Sequence, residues 1–580
     1  MSKSTSSTNS IFHWVLRYLP ILQWLANYRL SWLRADIIAG LTVWAVMVPE
    51  AMAYSGIAGV PPLVGLYTVP IPLIAYALFG TSRTMVIGPD SATALISAGT
   101  VGAVVASNSG ATQVAEYIAI TSALALIVGV IFLVLGLARM GWVANFIPTP
   151  VMKGFIQGLV WVTIIGQVPK LFGIEGQHGN FFEKLWSIIL ELANAKPMTT
   201  AIGLGCLVLL ALIKHFVPKL PSALTAVVVS IVLVSLFDLG AHGVDIVGKV
   251  EAGLPALAMP QFTLEQMQLL IPGALAIVLL GYAETLGAAK AAAAKSGGAI
   301  DPNQELVSHG PANIGSAFSG GFVVVGSLSK TSVSMGAGGK TQMASLIHAL
   351  FIILTLMFLL PLFANLPHAA LAAIVIEAML GLLNFSYLKN LWKQSHLELS
   401  IAMVAYLGVM IIGVLPGMGL GVALSILLLI YRATAPSSTI LGRESGSNNF
   451  HDISRHPDAE TISGLLIFRF NSSLFFANSN HFDKALQVRL ASTEGPVSQI
   501  LFDAETISLM DSTATDMLLE LQKNMTNKGI TLAFACVHDA VKEKMQLAGV
   551  VDAVGSNNFY DSILEGVEAF GKEATSTQLP

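Results

Sequence analysis

Long apolar stretches recur along the chain from residue 36 to residue 432. Each is about as long as a helix needs to be to cross a bilayer, roughly 20 residues. The predicted spans are 36–57, 62–80, 88–107, 116–138, 149–169, 198–214, 220–238, 270–292, 305–320, 329–338, 342–364, 368–384, 398–414 and 416–432. The pattern therefore predicts a polytopic α-helical membrane protein with 14 spans.

Fourteen spans divide into two halves of seven, and the third span of each half, 88–107 and 329–338, is polar and interrupted by glycine. An odd number of spans per half requires the halves to be inverted relative to each other. Interrupted segments at matching positions of two halves are typical of the binding site of a secondary transporter. The sequence therefore predicts a 7+7 inverted repeat with a ligand site at these segments.

Basic residues near the span ends predict the orientation, because Lys and Arg favour the cytoplasmic side. With a cytoplasmic N-terminus, the outward-facing basic residues are Lys170, Lys184, Lys196 and Lys249. Those on the inner side are Arg29, Arg34, Arg83, Arg139, Lys153, Lys214, Lys219, Lys290, Lys295, Lys340, Lys389, Lys393 and Arg432. We expect a multi-pass protein of the bacterial inner membrane with both termini in the cytoplasm.

Beyond residue 460, short apolar runs alternate with helical patterns, as in an α/β domain. The β-rich runs are 464–470, 498–503 and 530–536, and the helical patterns are 479–492, 512–527 and 538–547. Eighteen of the 34 acidic residues but only 10 of the 30 basic ones lie between Arg443 and Glu573. A mildly acidic soluble domain without a nucleophile and base pair predicts a regulatory or interaction module.

The predicted domain organisation follows from these changes of pattern. It comprises a cytosolic or interfacial N-terminal segment (1–35), a transmembrane transport domain (36–435), a linker (436–460), the soluble domain (461–572) and a tail (573–580). In the first segment, residues suited to a membrane interface are Trp14, Trp24, Trp32, Arg17 and Arg29.

Composition excludes a soluble enzyme. The chain has 580 residues, of which 54% are hydrophobic and 11% are charged, and its mean hydropathy is +0.72. Soluble domains carry roughly 25% charged residues. The two cysteines, Cys206 and Cys536, have no metal-ligand spacing and form no disulfide framework. We expect no metal, no cofactor and no nucleic-acid partner.

The candidate chemistry lies in the two interrupted segments, "VIGPDSATALI" (86–96) and "VGSLSKTSVSMG" (325–336). In each, a β-branched run ends at glycine and polar residues suited to a helix N-cap follow. Free N–H groups and the positive dipole end of such a helix attract anions. Lys330 adds a full charge that is costly within a membrane. An anionic substrate would compensate it; in the alternative, Lys330 snorkels or pairs with a carboxylate.

Three carboxylates within predicted spans are candidates for that pairing: Glu50, Asp90 and Glu284. An acidic group beside a bound anion must be protonated or paired, which indicates cation coupling. Asp90 has the alternative of a helix N-cap, and Glu50 that of a satisfied structural group. Sodium needs several oxygen ligands, and only Thr285 stands close to Glu284 in sequence, so a proton is favoured.

The run "MGAGGKT" (335–341) ends like a phosphate-binding P-loop, but Ser334 stands where that motif requires glycine. No strand of a soluble α/β unit precedes it. Close packing of glycines between helices is the favoured interpretation.

Several long motifs resemble the SulP sulfate-permease family, the relatives of the mammalian anion exchangers that include pendrin and prestin. They are "GLTVWAVMVPEAMAYSGIAGVPPLVGLYT" (40–68), "GTSRTMVIGPDSATA" (80–94) and "DPNQELVSHGPANIGSAFSGGFVVVGSLSKTSVSMGAGGKTQ" (301–342). The resemblance extends over roughly 30–565. It implies a core domain, a scaffold domain, a cytosolic STAS domain and homodimers with an elevator-like movement.

The resemblance also implies site residues, because the family's anion lies between the third and tenth helices and touches the first and eighth. The implied substrate-binding residues are Glu50, Tyr54, Asp90, Ser91, Leu328, Ser329 and Lys330. Glu284 is the expected cation-coupling residue. Ser512 falls where some STAS relatives carry a phosphorylatable serine, with helix capping as its alternative role.

The leading hypothesis is secondary active transport of a small anion, by proton-coupled symport. Candidate substrates are sulfate, bicarbonate and C4-dicarboxylates. Anion exchange and sodium-coupled bicarbonate symport remain open within this class. In a different class, the chain would be a membrane-anchored sensor whose STAS domain signals to a cytosolic partner.

Overall fold

The computed structural model describes residues 19–107, 114–146, 148–176, 179–218, 220–249, 252–493 and 495–576. Its chain divides into two compact units, Met1–Ser425 and Ile426–Pro580. Within the described residues, nine helices are long and apolar enough to cross a membrane, and three shorter apolar helices accompany them. The protein is therefore a multi-pass helical membrane protein.

The first half of the membrane unit begins with a short helix before the first span. Its elements are α1 (Ile21–Ala26), α2 (Leu33–Ala58), α3 (Pro62–Tyr67), α4 (Pro70–Phe79), β1 (Val86–Gly88), α5 (Ser91–Ser107), α6 (Val114–Leu137), α7 (Thr149–Phe172), α8 (Phe181–Glu191), α9 (Pro197–Phe216) and α10 (Ser222–Leu236). Gly173 ends α7 in the left-handed conformation, with φ of 67°, which glycine adopts without strain.

The second half repeats this order. Its elements are α11 (Leu264–Ser296), α12 (Pro302–Phe318), β2 (Val325–Ser327), α13 (Leu328–Gly336), α14 (Met343–Leu354), α15 (His368–Leu380), α16 (Phe385–Gln394), α17 (His396–Ile411) and α18 (Val414–Thr434). After α14 the chain continues as a π turn, Thr355–Leu359, and a 3₁₀ turn, Leu360–Phe363.

The helices of the membrane unit pack as two groups. In one, α12 packs against α6 and α4, α14 against α2, and α11 against α5 and α6. In the other, α17 and α15 pack against α7, and α9 packs against α15 and α10. These groups are the expected core and scaffold, and the short strands β1 and β2 lie in the core group.

The second unit carries a mixed sheet. Its elements are β3 (Ser438–Glu444), β4 (Phe450–Asp452), β5 (Ala459–Glu460), β6 (Leu465–Phe470), α19 (Ser479–Ser492), β7 (Gln499–Asp503), α20 (Ser512–Asn527), β8 (Thr531–Ala535), α21 (Asp539–Leu547), α22 (Val550–Val554), β9 (Phe559–Tyr560) and α23 (Ile563–Ser576). The sheet order is β4-β3-β6-β7-β8-β9, with β5 beside β3. Strands β6 to β9 are parallel, and β3 is antiparallel to β6.

Each of the 14 predicted spans contains a helix, with local differences that have physical reasons. The predicted span 62–80 is two helices, because Pro70 begins α4 and has no N–H group to continue α3. Helices α8 and α16 lie between predicted spans and were not predicted. In the N-terminal segment, Trp14 and Arg17 lie outside the described residues.

Candidate functional site

The two interrupted segments meet at a two-stranded antiparallel sheet in the core group. Strand β1 pairs with β2, so that Val86 lies opposite Ser327 and Gly88 opposite Val325. Both strands are fully buried, and each leads directly into a short helix, α5 or α13. The third segments of the two halves therefore meet at one point.

Hydrogen bonds from neighbouring helices fix this crossing. Thr331 Oγ1 accepts from Val86 N at 3.0 Å and donates to the Ser327 carbonyl at 2.5 Å, so this side chain of α13 is hydrogen-bonded to both strands. Gly326 N donates to Thr285 Oγ1 of α11 at 2.9 Å. A Cβ at Gly326 would lie 3.0 Å from Thr285 Cα, so glycine allows β2 to approach α11 this closely.

Lys330 is the central charge of the site, and its side chain is only 1% exposed. Its Nζ lies 3.0 Å from Glu50 Oε2 and donates to the Pro89 carbonyl at 3.0 Å. It also lies 5.2 Å from the centroid of the Tyr54 ring, which is cation–π distance. The structure therefore joins Glu50, Tyr54 and Lys330, and it pairs the lysine with a carboxylate of α2.

The remaining residues predicted on α5 and α13 have different environments. Asp90 Oδ2 accepts from Ala92 N at 2.8 Å, so this carboxylate caps the start of α5. Ser91 is buried next to it.

Leu328 and Ser329 are exposed, and Ser329 Oγ lies 3.1 Å from Ser327 Oγ. The first turn of α13 thus presents Leu328 and Ser329 to the space outside the core, while Lys330 points inward.

Both helix N-termini are partly satisfied within the protein. Asp90 takes up the N–H of Ala92, and Ser327 Oγ accepts from Lys330 N at 3.4 Å. A bound anion would thus find only some of the N–H groups free. The full positive charge at this crossing is that of Lys330, which is paired with Glu50.

Glu284 on α11 is half-buried and makes no hydrogen bond or ion pair with the described residues. The charged side chains that act on it electrostatically are Asp90, which repels its negative charge, and Lys153, which attracts it. Its neighbour Thr285 is engaged by Gly326 N and by His309 Nε2, at 3.2 Å. Within the described residues, Glu284 therefore has no cationic partner in contact, unlike Glu50.

Sequence reasoning missed a chain of buried groups that supports β2. His309 Nδ1 donates to the Glu305 carbonyl at 2.8 Å, and its Nε2 accepts from Thr285 Oγ1. Asn313 binds both backbone groups of Val324, the residue before β2. Its Oδ1 accepts from Val324 N at 2.9 Å, and its Nδ2 donates to Val324 O at 3.0 Å. The signal was the density of polar residues in the apolar span 305–320.

Two buried carboxylates, Glu305 and Asp36, were missed as structural anchors. Glu305 accepts from Thr81 N at 2.9 Å and from the Tyr76 hydroxyl at 2.9 Å, which fixes the loop before β1. Asp36 Oδ1 accepts from Lys340 N at 2.7 Å, and its Oδ2 accepts from the Thr341 hydroxyl at 2.8 Å. The P-loop-like run thus binds a carboxylate of its own chain.

His348 of α14 is another group that the sequence did not single out. It is 1% exposed, and neither ring nitrogen has a hydrogen-bond partner within the described residues. The positive charge of Lys330 acts on it electrostatically. A positive charge on this imidazole would therefore be repelled by the ammonium of Lys330.

In the soluble unit, Asp511 and not Ser512 caps α20. Asp511 Oδ1 accepts from Ala514 N at 2.9 Å and its Oδ2 from Phe476 N at 2.8 Å. Ser512 is the first residue of the helix and is exposed. Cys536 is half-buried, and burial raises the pKa of its thiol.

Two family models match the chain. The model of the sulfate permease family covers residues 33–405, and the STAS domain covers residues 456–565. The chain belongs to the sulfate permease family. A probable sulfate transporter of Mycobacterium tuberculosis is 33% identical over 544 residues, which are 94% of this chain and 96% of the relative. Prestin of Danio rerio is 31% identical over 85% of this chain and 70% of its own length.

Solved structures of low sequence identity share the fold. The murine anion transporter Slc26a9 in the inward-facing state has a TM-score of 0.87 at 24% identity, covering 98% of this chain and 95% of its own. The transmembrane domain of the cyanobacterial bicarbonate transporter BicA has a TM-score of 0.59 at 24% identity, over 69% of this chain and 98% of that domain. With the family match, the protein is an anion transporter and not an enzyme.

Proposed function

We propose that the protein is a secondary active transporter that moves a small oxyanion, with sulfate as its first candidate substrate, together with a proton. The observation that carries the proposal is the environment of Lys330. Its ammonium is buried at the crossing of the two half-helices and has one carboxylate, Glu50, as counter-ion. An arriving anion and Glu50 would then compete for the same positive charge.

The geometry supports Lys330 as the anion-binding cation, with Ser329 and Leu328 at the entrance of the site. Leu328 and Ser329 are exposed and lie two residues and one residue before Lys330 on the same helix. The family name and the names of relatives in Mycobacterium and Arabidopsis, both probable sulfate transporters, favour sulfate over bicarbonate and dicarboxylates.

Cation coupling follows from the carboxylates that surround this cation. An anion near Glu50, Asp90 and Glu284 is repelled by each ionised carboxylate, and in a medium of low dielectric constant this costs several kcal/mol. Protonation of one carboxylate removes part of that cost. Glu284 is the proposed proton carrier, because no cation of the described part of the chain contacts it, whereas Glu50 pairs with Lys330 and Asp90 caps α5. Glu50 and Asp90 are the alternative carriers.

Uptake by purified protein in liposomes tests the proposal. Labelled sulfate, bicarbonate and fumarate are supplied outside, with an inward proton gradient, an inward sodium gradient or neither. We expect sulfate accumulation driven by the proton gradient alone. Accumulation driven by sodium, or flux that requires an exchangeable internal anion, would replace proton symport by sodium symport or by exchange.

The sensor alternative is tested by removing residues 440–580. Residual uptake by the truncated membrane unit would support transport as the function of this unit. Unaltered anion flux in cells that lack the whole protein would instead favour a signalling role for the STAS domain. Movement of the core group against the scaffold group within a homodimer is the proposed transport step.

A further inference from the structure

A cationic cavity that is separate from the Lys330 site lies in the core group, beside the C-terminal part of α13. Its volume is about 650 Å³, and the residues that matter for its chemistry are Trp32, Arg83, Thr84, Lys295, Ser332 and Lys340. They come from the start of α2, the loop before β1, the end of α11 and the two ends of the 332–340 segment. Four separate parts of the core therefore converge on one space.

The charged residues among the described lining of this cavity are all basic. Arg83, Lys295 and Lys340 line it, and the described lining residues include neither Asp nor Glu. None of these three cations forms an ion pair with any described residue, and each is exposed. Three like charges around one space repel each other, and an anion between them would offset this repulsion.

Two buried carboxylates that contact the backbone of Lys340 and of Ser82, which precedes Arg83, are already engaged. Asp36 is bound by the N–H groups of Lys340 and Thr341 and by the Thr341 hydroxyl. Glu305 is bound by Thr81, Ser82 and the Tyr76 hydroxyl, next to Arg83. Their hydrogen bonds hold them to backbone and hydroxyl groups and not to the cations. The cavity thus keeps a net positive charge.

Thr84 provides a second, independent observation. Its side chain is 5% exposed and lines the cavity, yet its Oγ1 has no hydrogen-bond partner within the described residues. A buried hydroxyl without a partner is costly and uncommon in proteins. A rotation of this side chain towards the cavity would let its hydroxyl donate to an acceptor oxygen of a bound ligand.

We propose that this cavity binds a tetrahedral oxyanion group, a phosphate or a sulfate, held by Arg83, Lys295, Lys340 and the Thr84 hydroxyl. Arginine and lysine at three corners suit an oxyanion with two negative charges. The side chains must supply the contacts, because the N–H groups of Gly338, Gly339 and Lys340 are donated to Met335 O, Ser334 O and Asp36. The site is separate from Lys330 and does not depend on the proposed transport function.

The oxyanion has two candidate sources. Tryptophan is common where a membrane protein meets the lipid headgroups, so the phosphate of an anionic lipid is one source. The other is the soluble anion, since Ser332 lies one helical turn beyond Ser329 on the same short helix. Binding experiments in two membranes distinguish these sources.

The test measures equilibrium binding of labelled inorganic phosphate to the full-length protein in nanodiscs of neutral phosphatidylcholine. The background variant Lys330→Ala removes the proposed transport site, so that the remaining binding reports the second cavity. We expect saturable binding that weakens with added salt. Adding Lys295→Gln and Lys340→Gln to the Lys330→Ala background should weaken phosphate binding about tenfold or more, because two charge-assisted bonds are lost. Thr84→Val, which keeps the side-chain shape, should weaken it less.

A matched control removes the same charge from another helix. Lys389 and Lys393 are exposed on α16 and line no part of this cavity, so Lys389→Gln with Lys393→Gln should leave phosphate binding unchanged. The wild-type protein with and without the Lys295 and Lys340 changes is measured in parallel, which covers the case that Lys330→Ala does not fold.

The second arm repeats the measurement in nanodiscs that contain phosphatidylglycerol, and counts the lipid that copurifies with each variant. A lipid headgroup in the cavity predicts loss of phosphate binding and fewer copurifying phosphatidylglycerol molecules in the Lys295 and Lys340 variant. A soluble anion predicts phosphate binding that the lipid leaves unchanged. Equal phosphate binding and equal lipid counts in the cavity variant and the α16 control would overturn the proposal.

Discussion

Replacing Glu50 by Gln is the sharpest perturbation of the ion pair at the crossing. The account predicts that Glu50→Gln binds the anion more tightly than the parent protein, because the anion no longer competes with a carboxylate for Lys330. This expectation is the opposite of what a direct anion ligand at position 50 would give. The measurement therefore distinguishes a carboxylate that competes with the anion for Lys330 from one that helps to bind the anion.

The magnitude follows from the ion-pair geometry. Glu50 Oε2 lies 3.0 Å from Lys330 Nζ, so an anion that contacts the ammonium from its other side lies about 6 Å from this carboxylate. At an effective dielectric constant of about 20, two unit charges at that separation repel by about 3 kcal/mol. The Glu50 side chain is 14% exposed, and water screens part of this repulsion. An affinity gain of about tenfold, or about 1.4 kcal/mol, is a conservative expectation.

The assay is equilibrium binding of labelled sulfate to purified protein, for the parent, Glu50→Gln and Glu50→Asp. The aspartate variant keeps the charge and serves as the control. Weaker binding by Glu50→Gln than by the parent, with both proteins folded, would refute the competition between Glu50 and the anion.

Three further outcomes follow from the structure. Glu284→Gln should still bind sulfate but lose accumulation driven by a proton gradient in liposomes; accumulation at the parent level would transfer the coupling role to Glu50 or Asp90. Lys330→Ala should lower the free energy of unfolding by on the order of 3 kcal/mol, because Glu50 is left without its counter-ion; thermal unfolding in detergent measures this, and adding Glu50→Gln should recover part of the loss. Asp36→Ala should expose the 338–341 segment to proteolysis, since it removes the acceptor of the Lys340 and Thr341 N–H groups; an unchanged cleavage pattern would show that other contacts hold the loop.

The apolar stretches and the Gly and Pro residues that interrupt them predicted the positions of the spans well, because the membrane requires each span to satisfy its own backbone hydrogen bonds. The half-helices at Ser91 and Leu328 were visible as polar, glycine-interrupted segments at matching positions. Their pairing through β1 and β2 follows from that symmetry. Resemblance to the family then brought Glu50, Tyr54 and Lys330 to the same place.

The partner of each buried charge was beyond prediction, because it depends on contacts between distant parts of the chain. Asp36 and Lys340 are 304 positions apart, and Tyr76 and Glu305 are 229 apart. The sequence offered Lys330 three carboxylates without ranking them, and only the packing of α2 against α13 selects Glu50. Asp90 likewise became a helix cap through local geometry, the alternative that its position at a helix start had left open.

Sulfate uptake by Lys330→Ala in liposomes shows whether this lysine is the cation that binds the transported anion. The parent protein, Lys330→Ala and the exposed-lysine control Lys389→Ala are compared under the same inward proton gradient, with equal amounts of folded protein confirmed by size-exclusion chromatography. The account predicts accumulation by the parent and by Lys389→Ala, and uptake by Lys330→Ala no greater than in protein-free liposomes. Parental sulfate accumulation by Lys330→Ala would contradict the assignment of this lysine as the cation that binds the transported anion.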